Sequence, residues 1–111
     1  MKNLIFIMLL LAGVFCQAQK QDIKTYIKTE SIGGKLDFSK AVDKEYSTSL
    51  IRFGDTMYSK KDFTILLWGA KVNALGINSL DETFRLWEEI NQRALTEPEK
   101  KALKTGFEAK F

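Results

Sequence analysis

Apolar residues recur at helical spacing through the C-terminal half of the chain. Leu80, Phe84, Trp87, Asn91 and Ala94 follow one another at steps of four and three, and Leu86, Ile90 and Leu95 widen the apolar side. That spacing predicts an amphipathic helix from Leu80 to Leu95. Ser79 followed by Glu82 has the form of a capping box at its start, and Thr96 followed by Glu99 repeats the signal. Pro98 falls in the first turn of the second unit, where its missing N–H costs little. A helix from about Glu97 to Lys110 is expected, with Leu103, Phe107 and Phe111 on one side. The two helices meet at Thr96 with almost no loop, which predicts a tight corner rather than an antiparallel return.

Upstream, Lys60 or Lys61 to Leu75 also reads as helix. Phe63, Leu67, Ala70 and Ala74 line one face, and Ile65, Trp68, Val72 and Leu75 line much of the rest. A helix apolar nearly all round is expected to be the buried one. The competing reading is a strand over Phe63–Trp68, whose residues suit a sheet centre. Gly76 is a natural stop. The N-terminal part is less regular. Residues 21–28 predict a short helix with Ile23 and Ile27 facing in, and Ser31-Ile32-Gly33-Gly34 a turn. Ser39 is the expected cap of a helix carrying Val42, Tyr46, Leu50 and Phe53, weakened by Ser47-Thr48-Ser49 and interrupted at Gly54-Asp55. The fold class is therefore all-α: a small bundle of four or five helices around one core.

The first 18 residues have a different pattern. Lys2 precedes an apolar run from Leu4 to Phe15, and Cys16-Gln17-Ala18 places small residues three before and directly before a cut ahead of Gln19. Residues 1–18 thus read as a secretory signal peptide and 19–111 as a single small helical domain. The run is about 12 residues, against the roughly 20 that span a bilayer, so an anchor is the lesser reading. Lipidation at Cys16 is disfavoured because the bulky Phe15 precedes it. The expected location is secreted or periplasmic.

Composition narrows the chemistry. The 111 residues contain no His and one Cys, with 17 basic and 14 acidic side chains and a net charge of +3. A Ser-His-Asp triad, a Cys-His pair, a His-based metal site and an internal disulfide are all impossible within this chain. Gly33-Gly34-Lys35 lacks the longer loop and the Ser/Thr of a phosphate cradle, and no cofactor or metal is expected. Asp81, Glu82, Glu88 and Glu89 crowd one predicted helix. They read as dipole compensation and a solvated face rather than the two opposed carboxyls of a hydrolase.

Two sets of residues remain as candidates for binding. Arg52, Tyr58, Arg85 and Trp87 are the first to consider for a ligand groove. Lys100, Lys101 and Lys104 with Phe107 form a basic amphipathic stretch suited to a polyanion or a partner. The sequence therefore points to a noncatalytic binding or interaction protein acting outside the cytoplasm. Its expected partner is a protein or an envelope surface and not nucleic acid. A chaperone-like or inhibitory partner of another secreted protein is the first alternative, and a small carboxylate-dependent hydrolase the second.

Overall fold

The computed structural model describes residues 22–109. The proposed leader, with Cys16 and the cut after Ala18, lies outside the described residues, as do Lys110 and Phe111. Among the described residues the chain forms five helices and one two-stranded hairpin. Helix α1 covers 22–30 and sets Ile27 fully inside, with Ile23 packed beside it. A turn through Gly33, with φ of 72°, brings Leu36 into the core.

Helix α2 (Ser39–Glu45) is short and buries only Val42. Ser39 is its first residue rather than its cap. Both the backbone N–H and the hydroxyl of Ser39 donate to Asp37 Oδ1, at 3.2 and 2.6 Å. The helix expected to continue through Leu50 and Phe53 does not form. Instead Leu50–Phe53 (β1) and Thr56–Ser59 (β2) pair antiparallel, Ile51 opposite Tyr58 and Arg52 opposite Met57. Two local causes are visible. The Thr48 hydroxyl donates to the Leu50 carbonyl at 2.9 Å, an alternative to a helical bond. Gly54 takes φ of 61° as the first residue of a two-residue Gly-Asp turn, a hairpin connection. Alternate burial of Ile51 and Tyr58 follows the period of two.

Helix α3 (Lys60–Ala74) runs through the middle, and the strand alternative over Phe63–Trp68 is not adopted. Ser59 caps it by accepting the Asp62 N–H at 3.1 Å. Gly76, with φ of 117°, follows its end. Being apolar on two sides, α3 divides the core. Ile65, Trp68 and Val72 pack with Ile27, Leu36, Leu86, Trp87 and Leu103. Phe63 and Leu66 pack with Val42, Ile51, Tyr58 and Ala102.

Helix α4 (Leu80–Asn91) ends earlier than its apolar pattern predicts. Gln92 enters the left-handed region at φ of 54°, and the Glu88 carboxylate accepts the Leu95 N–H at 2.8 Å. Leu95 is thereby turned into the core, 6% exposed. The Ser79 cap is half a capping box: its hydroxyl accepts the Glu82 N–H at 3.2 Å, while the Glu82 carboxylate pairs with Lys24 on α1. Lys28 and Glu89 make a second pair between the same helices at 2.8 Å.

Helix α5 (Glu97–Glu108) begins with the complete Thr96–Glu99 capping box and turns away from α4 to lie along α3. Contacts advance together on both helices, Lys61 with Glu99, Gly69 with Leu103, Asn73 with Phe107, so the two run in the same sense. Their crossing is set by two glycines. A Cβ on Gly106 would stand 1.8 Å from the Leu66 carbonyl oxygen, and one on Gly69 would stand 2.7 Å from that of Leu103. Each glycine costs about 1 kcal/mol of helix propensity. Backbone-to-backbone approach, closed by the Asn73 side chain donating to the Phe107 carbonyl at 2.8 Å, is what that cost permits.

Candidate functional site: a groove over the two tryptophans

Beside the divided core, buried apolar side chains line a cavity that opens to solvent. The turn after α1, the first half of α3 and the end of α4 enclose a cavity of about 530 Å³. Its floor is Trp68 and Trp87 with Leu36 and Ile65, all 6% exposed or less. Trp68 is held in place by its indole N–H, which donates to the Ser31 hydroxyl at 2.9 Å, while that hydroxyl donates to the Ile27 carbonyl. Ile32, 65% exposed, stands on the rim. The size and the mostly apolar lining match those of small-molecule sites.

The rim carries charge. Lys60 and Lys61 come from the start of α3, and Arg93 from the loop after α4. The Arg93 guanidinium lies 4.6 Å from the Trp87 ring centre and makes a two-pronged bond to Glu99, at 2.7 and 2.6 Å. Glu99 is 2% exposed, and its Oε1 also accepts the Thr96 N–H at 2.9 Å. The Arg93 hydrogen bonds, against the opposing effect of burial and aided by Thr96, hold the Glu99 carboxyl at a pKa of about 2. Lys61 stands 3.5 Å from the same Oε2 that Arg93 occupies. One buried carboxylate thus serves two cations.

The acids on the lining are already engaged. Asp37 accepts from Gly33 N–H at 2.8 Å as well as from Ser39, and the Ser39 hydroxyl first, then Gly33, keep its carboxyl below the ordinary range. Asp43 lies 3.5 Å from Lys60. Among the described residues no buried side-chain polar atom lacks a partner. The groove therefore offers a ligand apolar area and a charged rim, with no unmet buried hydrogen bond.

Of the four ligand candidates read from the sequence, the structure brings only Trp87 to this groove. Tyr58 is buried beneath the hairpin, its hydroxyl 3.3 Å from that of Thr105. Arg52 is exposed on β1 and reaches back to the Gly54 carbonyl at 3.4 Å. Arg85 sits on α4 beside Lys24 and Lys28 of α1. The partners of Trp87 are instead Trp68, Lys60, Lys61 and Arg93. Helical spacing reads Trp68 as core, and Arg93 lies past the helix end, where that spacing carries no information. In the basic stretch of α5, Phe107 packs partly on the core. Lys100 and Lys104 each lie 3.9 Å from an acid of their own helix, and Lys101 is exposed near Met57 and Tyr58.

Three of the four carboxylates of α4 have structural partners: Glu82 and Glu89 hold α1, and Glu88 ends the helix. None of them lines the groove. Among the described residues no group of three His, Cys, Asp or Glu side chains is placed to hold a metal ion, and no helix is long and apolar enough to cross a membrane. No family model matches the chain, and no curated protein or solved structure is significantly similar to it.

Proposed function

We propose that this is a noncatalytic binding protein acting outside the cytoplasm, with the groove over Trp68 and Trp87 as its ligand site. The observation that carries the reading is the convergence of both tryptophans of the chain on one apolar cavity with a charged rim. The signal-peptide-like pattern of residues 1–18 supports the location.

Two measurements test it. Both tryptophans line the groove, so intrinsic fluorescence reports on its occupancy without a label. Titration with the apolar dye anilinonaphthalene sulfonate should quench tryptophan emission by energy transfer, and Ile32→Asp at the rim should weaken dye binding with the fold intact. No quenching at any dye concentration would sink the groove reading. For location, the native protein should be found in the extracytoplasmic fraction with a mass that begins at Gln19. A full-length mass confined to the cytoplasm would sink the export reading.

The reading as a partner of another secreted protein is favoured by a different observation. Leu50 and Met57, each 53% exposed, share the outer face of the hairpin. On that reading Met57→Lys abolishes association with the partner, while a substitution in the groove leaves it unchanged.

A further inference from the structure

The hairpin presents an unpaired strand edge. A two-residue turn closes on a hydrogen-bonded pair, here Phe53 and Thr56, and bonded and non-bonded pairs then alternate along the strands. Arg52 and Met57 are therefore a non-bonded pair, and their backbone N–H and C=O groups point away from each other, out of the two edges. Among the described residues the sheet has no third strand. On β1 the Thr48 hydroxyl already donates to the outward Leu50 carbonyl at 2.9 Å. On β2 no group among the described residues takes up the Met57 N–H or C=O, and Met57 is 53% exposed.

The β2 edge is one wall of a groove of about 480 Å³. Three successive residues, Thr56, Met57 and Tyr58, line it, although Tyr58 is buried and Met57 faces outward. Residues from opposite faces of a strand border the same groove when it runs along the edge. The other wall is the start of α5, at Pro98 and Lys101. The Tyr58 hydroxyl, 3.3 Å from that of Thr105, ties the strand to the same helix.

We infer that this groove takes an extended peptide segment of another protein, added to β2 as a third strand. A free strand edge recognises main chain: the incoming segment supplies a C=O to the Met57 N–H and an N–H to the Met57 C=O, and extended backbone offers both. The Met57 and Pro98 side chains add apolar area beside it. A second copy of this chain is the poorer occupant, because an approach through its own β2 would bring its own α5 into the same gap. The site stands apart from the groove over the tryptophans and from the outer face of Leu50 and Met57, since the edge engages main chain and the face engages side chains.

To test it, a displayed library of short random peptides is panned against the purified protein, and the recovered peptides are synthesised and titrated into it by two-dimensional NMR. They should shift the Met57 amide and slow its hydrogen exchange, which is fast in the free protein. Met57→Pro removes the outward N–H without removing a bond of the hairpin. It should weaken binding about tenfold, with the circular dichroism spectrum unchanged. Met57→Ser keeps the N–H and should bind nearly as the wild type does. N-methylation of the peptide at each position in turn checks the same bonds without touching the protein, and at least one position should abolish binding. Failure to recover any peptide overturns the proposal, as do peptides that shift Trp68 and Trp87 but not the Met57 amide. Equal losses in Met57→Ser and Met57→Pro would assign the contact to the side chain and overturn strand addition. A dimer that protects the Met57 amide without any peptide would make a second copy the occupant and overturn the peptide assignment.

Discussion

On one side of α3, Ile65, Trp68 and Val72 meet long side chains from three helices and from Leu36. On the other, Phe63 and Leu66 meet α2, Ala102 and a hairpin of four-residue strands. The covering layers differ in what they can do alone. A two-stranded hairpin is marginal in water without a surface to lie on, so β1 and β2 depend on Phe63 and Leu66. The helical side has its own capped elements and two α1–α4 ion pairs. It also carries the groove. Two indoles lie between α3 and α4 and line the cavity beside the turn of residues 31–36. The side with the stronger scaffold is the one that carries the concave apolar cavity, an arrangement suited to a binding site held on rigid elements.

The comparison is broken most severely at the seam the two sides share. Gly106→Ala places a methyl 1.8 Å from the Leu66 carbonyl, so α3 and α5 must separate. Loss of roughly 4 kcal/mol, or of cooperative folding, is expected in urea denaturation. Gly69→Ala, at 2.7 Å from the Leu103 carbonyl, should cost less. Equal and small effects would show that the helices are not held at this distance.

Next in size is the Glu99 node beside the groove. The folded value of about 2 lies below the ordinary 4.5, so its stabilisation is complete above about pH 4.5 and disappears as pH falls towards 2. That loss amounts to about 3 kcal/mol at one unit per 1.4 kcal/mol. In Glu99→Gln the urea midpoint is already lower at pH 7, and its further fall between pH 5 and pH 2 is reduced. An unchanged acid slope in that variant would assign the acid sensitivity elsewhere.

Ile51→Ala sharpens the contrast between the sides. It removes a buried strand residue, and a cost of about 2 kcal/mol is expected. Hydrogen exchange should then rise in β1 and β2 while α3 and α4 stay protected. Uniform loss of protection would mean that the two clusters unfold as one. The smallest effect belongs to the outer face of the hairpin. Met57→Ser should change stability by under about 0.5 kcal/mol, since the side chain is 53% exposed.

Legibility follows the same division. Ile27, Leu86 and Leu103 are core by helical spacing alone, and Thr96 with Glu99 forms the capping box its sequence announces. On the hairpin side, Val42, Tyr46, Leu50 and Phe53 also fall at steps of three and four, and the pattern misleads. Leu50 is 53% exposed and Tyr46 37%. A period-two signal, Ile51 with Phe53 and Tyr58 with Thr56 about a Gly-Asp turn, is present in the same residues but only four residues long on each side. Short runs do not separate the two periods. Of the residues lining the groove, Trp87 is among the ligand candidates read from the sequence, and Lys60, Lys61 and Arg93 are not. The spacing that marks Trp68 as core is correct, and the same residue still lines the cavity.

The sequence by itself determined the helical class, the central place of α3, the caps at Ser79 and Thr96, and the exclusion of His-based chemistry and of an internal disulfide. These depend on local backbone bonding and on composition, which act within a few residues or over the whole chain. Only the tertiary structure decided that α5 lies along α3, that Glu99 holds Arg93 and Lys61 together, and that Trp68 and Trp87 share an open cavity. Each of these depends on how closely two helices approach. That distance is set by which backbone atoms meet which side chains across the crossing, as at Gly69 and Gly106, and no spacing along the chain encodes it.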